Sequence, residues 1–299
     1  MKELRMNDYN RIKGLISFFM TVMFWLLLGS SISNLATVIL FNINEDALNS
    51  PYFIYIRTNL PFAAMAIGIY FTRKYLLEIS FKELITNNSN YSKQYFLITI
   101  CISLSYLFLY MIISNATGYK PVVYNSVPFK DRIIMMVLVL LITPLQSALE
   151  ELLFRAMLLK GIVGKYDASN KSKTLIASII CGLFFLAVHL KNPEIEAYKS
   201  FAILYYFTFG FASAFMTLYF KTVEISIALH VTNNLFVGLI SNYSSSALKT
   251  LSLFSEVDNS AHYFDLVIVL LMFITTYLVL KRTTYYKDNN SGTNLRGKI

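Results

Sequence analysis

The chain has 299 residues, of which 56% are hydrophobic and only 14% carry a charge. Soluble domains carry about 25% charged residues, so this composition excludes a water-soluble enzyme. With 15% aromatic residues, 11 Gly and 6 Pro, it also excludes a disordered or collagen-like chain. The remaining class is an all-α protein in which residues 1–299 form a single integral membrane domain, a bundle of helices that crosses the lipid bilayer about eight times.

The net charge of +9 does not indicate a nucleic-acid partner, because the chain has no basic domain to bind one. Cationic residues that flank membrane spans are expected from the positive-inside rule. Windows of about 19 residues predict the spans in chain order. They cover residues 15–41, 52–72, 95–114, 133–159, 174–190, 200–220, 223–241 and 264–280. The second is interrupted by Arg57, Asn59 and Pro61.

The distribution of Lys and Arg predicts the orientation. Of the 26 such residues, six lie in loops on one side of the predicted bundle and two, Arg57 and Arg155, lie inside spans. The remaining 18 share the other side with both termini. We therefore expect both termini, including short tails at 1–13 and 281–299, in the cytoplasm of what the composition suggests is a bacterial plasma membrane.

The fourth span is exceptional because it carries three charges within six residues, Glu150, Glu151 and Arg155. Charged groups in hydrocarbon cost about 2.5–3.5 kcal/mol each, so they indicate function. Glu151 and Arg155 are four residues apart and share a helix face, where they neutralise one another. Glu150 is then the carboxylate without a local partner, which suits it to act as a general base or acid. We expect Pro144 to kink this helix and open a hydrated site.

Two of the three histidines also fall in predicted spans. His189 ends the fifth, and His230 lies in the seventh with Asn234 on the same helix face. A single histidine in such a run is more often a packing residue than a catalytic one. Together with a buried carboxylate, however, two imidazoles and an amide supply a base for water, a proton carrier and donors to an oxyanion, as peptide hydrolysis requires.

Glu and His also bind zinc, so a zinc ion remains an alternative. HExxH is absent, and no two histidines are near each other in sequence. The sequence therefore predicts no metal and no other cofactor.

Glu150-Glu151-x-x-x-Arg155, Phe185-x-x-x-His189 and His230-x-x-x-Asn234, in this order, resemble the motifs of the CAAX-protease and bacteriocin-processing family, intramembrane relatives of the Ras-converting endopeptidase. The resemblance covers about residues 133–242. It implies a glutamate-type intramembrane endopeptidase in which Glu150 and His189 activate water. His230 and Asn234 would then stabilise the oxyanion, with Glu151 and Arg155 in support.

The leading hypothesis is thus hydrolysis of a peptide bond in a peptide or membrane-protein substrate, presented from the cytoplasmic side or the lipid interface. Two alternatives stay open. One is a transporter whose buried Glu and His relay protons, against which the absence of repeats and of broken helix pairs counts. The other is a non-catalytic bacteriocin-immunity or scaffold protein of the membrane.

Overall fold

The computed structural model describes residues 10–88, 91–257 and 263–293. Parts of both predicted tails, residues 1–9 and 294–299, lie outside the described residues. Helices dominate, so the predicted all-α membrane bundle is confirmed. They are α1 (Arg11–Ile43), α2 (Pro51–Asn59), α3 (Pro61–Phe71), α4 (Phe81–Ile85), α5 (Lys93–Thr117), α6 (Phe129–Val163), α7 (Lys171–His189), α8 (Pro193–Tyr198), α9 (Ser200–Phe220), α10 (Glu224–Leu239) and α11 (Tyr263–Thr293).

Six of these helices are long and apolar enough to cross a membrane: α1, α5, α6, α7, α9 and the 21-residue part Phe264–Thr284 of α11. Their outward faces carry exposed aliphatic side chains such as Leu35, Leu109 and Leu141. Such a surface suits hydrocarbon rather than water. The other two predicted spans also form helices, but neither is a continuous long one.

The span predicted at 52–72 is divided between α2 and α3 at Pro61. Proline has no backbone N–H, so the carbonyl of Arg57 loses its usual helical donor. Ser33 of α1 donates a hydrogen bond to that carbonyl over 3.1 Å and replaces it. α1 and α3 approach closely at this point, since a Cβ on Gly29 of α1 would lie 2.7 Å from the Cα of Pro61 in α3.

The span predicted at 223–241 corresponds to α10, which has only 16 residues. It begins inside the protein, because Thr222 and Val223 just before it are fully buried. This explains why His230 is only six residues from the start of its helix while His189 is at the end of α7. The two positions meet at one depth because α10 starts deep in the bundle.

Pro144, where a kink is predicted, lies inside a continuous α-helical stretch of α6. The departure from α geometry follows the glutamate pair instead, as a π-helical segment at Leu152–Leu159. Such wide turns are frequent at functional sites. All eight residues of the segment are buried, and all but Arg155 belong to the main hydrophobic core of the bundle.

α7 and α9 form the most extensive helix pair, since glycines let their backbones approach. A Cβ on Gly210 would lie 2.8 Å from the Phe185 Cβ and 2.9 Å from the Gly182 Cα. α10 packs against α5 and α6. Three short strands join loops at one end of the bundle: β1 (Val122–Tyr124) pairs antiparallel with β3 (Phe254–Glu256), which pairs parallel with β2 (Ser241–Asn242).

Candidate active site

The structure brings the three predicted motifs together. Glu150, His189, His230 and Asn234 line one cavity, which we call the glutamate cavity. Glu151 and Arg155 lie behind its wall and are fully buried. The residues come from α6, α7 and α10, so the cavity exists only when these three helices are packed.

Glu150 faces both histidines and is 4% exposed. Its Oε2 lies 3.7 Å from Nε2 of His189 and 3.8 Å from Nε2 of His230. These separations exceed direct hydrogen-bond lengths, so Oε2 of Glu150 makes no direct hydrogen bond to either ring. The expectation that Glu150 lacks a local partner is wrong for its other oxygen, because Gln146, one helical turn earlier, donates to Oε1.

Glu151 and Arg155 form the predicted ion pair, with Nε of the arginine 3.1 Å from Oε2 of the glutamate. The guanidinium also lies over the ring of Phe185, 4.6 Å from its centroid. The second oxygen of Glu151 lies 2.8 Å from Nδ1 of His230. Glu151 therefore links the arginine of α6 to the histidine of α10 and fixes the orientation of the imidazole.

Both imidazoles have Nδ1 beside a group that only accepts hydrogen bonds. Nδ1 of His189 lies 2.6 Å from the carbonyl oxygen of Phe185, and Nδ1 of His230 lies beside the Glu151 carboxylate. Nδ1 must then be the donor in each ring, which directs Nε2 of both rings towards Glu150. The ring of His189 also stacks on Tyr206, with centroids 4.4 Å apart.

Asn234 joins a polar network with two residues of α6 that have no assigned role in the sequence motifs. Its Nδ2 donates to Oγ of Ser147 over 3.1 Å and lies 3.5 Å from Oε1 of Gln146. Ser147 also donates to the same Gln146 oxygen. The sequence feature that could have identified Gln146 and Ser147 is their polarity in an apolar run directly before the glutamate pair. Polar side chains buried at such positions need hydrogen-bond partners.

The rest of the cavity wall comes mainly from one end of the bundle. Trp25, Phe62 and Val188 supply apolar surface. Glu194 of α8 and residues 243–248, between β2 and β3, complete the wall. α8 and residues 243–248 lie in connections on the side of the predicted bundle whose loops hold only six Lys and Arg residues. The glutamate cavity is therefore bounded by the loops opposite the two termini.

Within the described part of the chain, no group of three or more His, Cys, Asp and Glu residues is arranged to hold a metal ion. The groups around Glu150 are instead linked in pairs, by the Gln146 hydrogen bond and the contact between Glu151 and His230. Such pairing suits a site that holds and transfers protons.

Comparison with known proteins shows which family the helices that carry this arrangement are similar to. Residues 130–236 match the model of the family described as "Type II CAAX prenyl endopeptidase Rce1-like". The chain carries an Rce1-like domain. All six predicted site residues lie within the matched segment, which contains α7, α8, α9 and most of α6 and α10. At family level this domain is that of an intramembrane endopeptidase acting on peptides or proteins, and the protein is an integral membrane protein.

A relative extends the likeness beyond the Rce1-like domain. The chain is 24% identical over 234 residues to "Uncharacterized protein YyaK" of Bacillus subtilis (strain 168), covering 76% of this chain and 72% of that protein. No solved structure matches the chain. The comparisons thus show the likeness to the Rce1-like family for residues 130–236.

Proposed function

We propose that this protein is a glutamate-type intramembrane endopeptidase in which Glu150 activates the water that cleaves a peptide bond. The observation that supports this best is the convergence of Oε2 of Glu150 with Nε2 of His189 and His230 at 3.7 and 3.8 Å. Oε2 of Glu150 is buried and accepts no hydrogen bond from the described residues, so it can accept one from a water molecule and take a proton from it, with the two imidazole nitrogens beside it.

In the proposed reaction, the water lies between Glu150 and His189. Its oxygen attacks the carbonyl carbon of the peptide bond while one of its protons passes to Oε2 of Glu150. The carbonyl π-bond becomes an oxyanion. When the C–N bond breaks, Glu150 returns the proton to the leaving nitrogen, so that the products are a carboxyl group and an amine. His189 accepts the second proton of the original water as the new carboxyl group ionises to a carboxylate, and it releases this proton to solvent before the next turnover.

The oxyanion needs hydrogen-bond donors, and His230 and Asn234 supply them in this proposal. Because Glu151 accepts from Nδ1 of His230, the imidazolium form presents an Nε2–H to the cavity. The Asn234 amide has two N–H groups, and only one makes a short hydrogen bond, the one to Ser147. Arg155 acts through Glu151, whose charge it balances. No cofactor takes part.

The side from which the substrate enters follows from two features. The excess of Lys and Arg with the termini supports an orientation with both ends in the cytoplasm. The loops at 243–248 and α8 that bound the glutamate cavity lie on the opposite side. The proposed substrate is therefore a peptide or membrane-protein segment that reaches Glu150 from the extracytoplasmic side or the adjacent lipid. This replaces the cytoplasmic side expected from the sequence, because Glu194 and residues 243–248 bound the cavity.

The test is peptide mass spectrometry of membranes that contain the full-length protein, its Glu150→Gln variant or its Glu196→Gln variant. Gln keeps the shape of Glu and still accepts a hydrogen bond from Gln146, but it cannot take a proton from water. Glu196 is an exposed carboxylate of α8 and serves as the matched control. New peptide ends are expected with wild type and Glu196→Gln only.

The same new ends with Glu150→Gln would refute the proposal. Unchanged peptides together with a proton flux that requires Glu150 would favour a transporter instead. The assignment without a metal is tested separately with the purified protein. Activity is expected to survive chelation, and a loss that added zinc restores would show a zinc enzyme.

A further inference from the structure

Glu194 is a buried carboxylate that the proposed hydrolysis does not use. It lies in the first turn of α8 and is 6% exposed. Its Oε1 accepts hydrogen bonds from the backbone N–H of Ala247, over 2.7 Å, and from the hydroxyl of Tyr243, over 3.4 Å. Its Oε2 is buried and makes no hydrogen bond of good geometry with the residues that the structure describes, while the Tyr206 hydroxyl interacts with the same carboxyl group. A buried carboxylate oxygen without a donor calls for a ligand.

Glu194 stands between two cavities. It lines the glutamate cavity and also a second one, between α5, α9, α10 and α11, which we call the acidic cavity. The two share a wall of six residues: Glu194, Tyr205, Tyr206, Asn233, Val237 and Tyr243. A peptide bound at Glu150 would therefore have a neighbouring side chain within reach of the acidic cavity.

The charges of the acidic cavity favour a cation. Its wall holds three carboxylates, Glu194, Glu256 and Asp265, and one ammonium, that of Lys120. Lys120 lies 2.5 Å from Asp265 and 3.9 Å from Glu256. Among the described residues, no basic side chain forms an ion pair with Glu194. The acidic cavity therefore has an excess of negative charge at the end next to the glutamate cavity.

Two further features agree with a cationic occupant. Burial raises the pKa of the carboxyl groups of Glu194 and Glu256, because each lacks full compensation for lost water, and a bound cation would supply it. The wall also contains aromatic rings, including Tyr198, Tyr205 and Tyr206, whose faces attract ammonium and guanidinium groups. A planar guanidinium can bond to a carboxylate and stack on a ring at once.

We propose that the acidic cavity binds an arginine or lysine side chain of the peptide substrate, with Glu194 as its partner. This inference rests on the proposed peptidase function, because only a peptidase has a peptide substrate. Binding of a cationic side chain in the acidic cavity does not itself depend on cleavage. Glu194 would set specificity by selecting peptides that carry a positive charge near the bond to be cleaved.

The test uses the full-length protein in lipid nanodiscs and two probes of the same shape, Nα-acetyl-arginine amide and Nα-acetyl-citrulline amide. Binding is measured by saturation-transfer NMR titration. Wild type is expected to bind the arginine probe at least tenfold more tightly, a difference of about 1.4 kcal/mol. Glu194→Gln should lose this preference, while Glu196→Gln, on the same helix, should keep it.

Glu150→Gln should also keep the preference, which separates the acidic cavity from the glutamate cavity. Should Glu194→Gln fail to fold, Glu256→Gln is expected to reduce the preference severalfold. Equal binding of the two probes by wild type, or an unchanged preference in Glu194→Gln, would overturn the inference. If peptidase activity is found, a Glu194→Gln enzyme that still prefers arginine peptides to their citrulline analogues would refute the role of Glu194 in specificity. That result would leave the proposed function intact as long as Glu150→Gln abolishes cleavage.

Discussion

Replacing Arg155 with Met tests whether the buried ion pair holds the site together. Arg155 is fully buried, and its Nε lies 3.1 Å from Oε2 of Glu151. Met fills much of the space of the arginine stem but leaves Glu151 a buried carboxylate without its guanidinium partner. Because Glu151 also orients His230 through a 2.8 Å contact, the loss extends to the glutamate cavity.

The expected magnitude follows from this geometry. Removing one member of a buried pair costs about 3–5 kcal/mol. For domains of 150–250 residues, 1 kcal/mol corresponds to about 2–4 °C in melting temperature, so a fall of at least about 6 °C is expected. The double variant Glu151→Gln with Arg155→Met has no buried charge at these positions, and Gln still accepts from His230. It should recover more than half of the loss.

The chain's cysteines provide the assay. Cys181 is fully buried in α7, whereas Cys101 is exposed. In a Cys101→Ser background, a thiol-reactive fluorescent dye therefore reports unfolding through Cys181 as detergent-solubilised protein is heated. A single Arg155→Met variant that melts within about 2 °C of its parent would refute the reasoning. So would a double variant that is no more stable than the single one.

Three further predictions concern packing, polar support and orientation. Gly210→Ala places a Cβ 2.8 Å from that of Phe185, so overpacking should destabilise the protein by about 1–3 kcal/mol in the same thermal assay, and an unchanged melting temperature would contradict this contact. Gln146→Leu removes the hydrogen-bond donor to Glu150. Because a hydrogen bond to a charged group is worth about 1.5–3 kcal/mol, kcat/KM is expected to fall about 10- to 150-fold, with a displaced pH–rate profile. Full activity of this variant would show that Gln146 plays no part in catalysis. In a chain without other cysteines, Ser244→Cys should react with a membrane-impermeant maleimide from outside intact cells and Ser169→Cys only after lysis, and the reverse pattern would invert the orientation.

Local geometry explains which parts of the site the sequence could predict. The pairing of Glu151 with Arg155 follows from their spacing of four residues on one helix, and the structure shows it. The prediction that Glu150 has no local partner is wrong because the partner is an uncharged amide, that of Gln146 one helical turn earlier. The apolar windows predicted the six long helices because their hydrophobic length determines them. They did not predict that the span at 52–72 is divided at Pro61 or that the helix at 223–241 is short.

The remaining features depend on tertiary contacts. Nothing in the spacing of His189 and His230 places them 3.7 and 3.8 Å from one carboxylate. Their common location was expected from the chemistry that these groups supply together and from the family resemblance. Glu194 follows a proline at the start of a short helix, where a carboxylate is normally solvated. Only the fold of residues 243–247 over α8 buries it, and no local pattern signals that loop contact.

The central claim is that Glu150 is the base of a peptide hydrolysis. The most direct measurement is kcat/KM of the purified full-length protein for a quenched-fluorescence peptide built on a cleavage found by mass spectrometry. Loss of a general base should lower kcat/KM by roughly 10²–10⁴-fold in Glu150→Gln, with Glu196→Gln unchanged and with melting temperatures that match wild type. A folded Glu150→Gln protein that keeps wild-type activity would contradict the account.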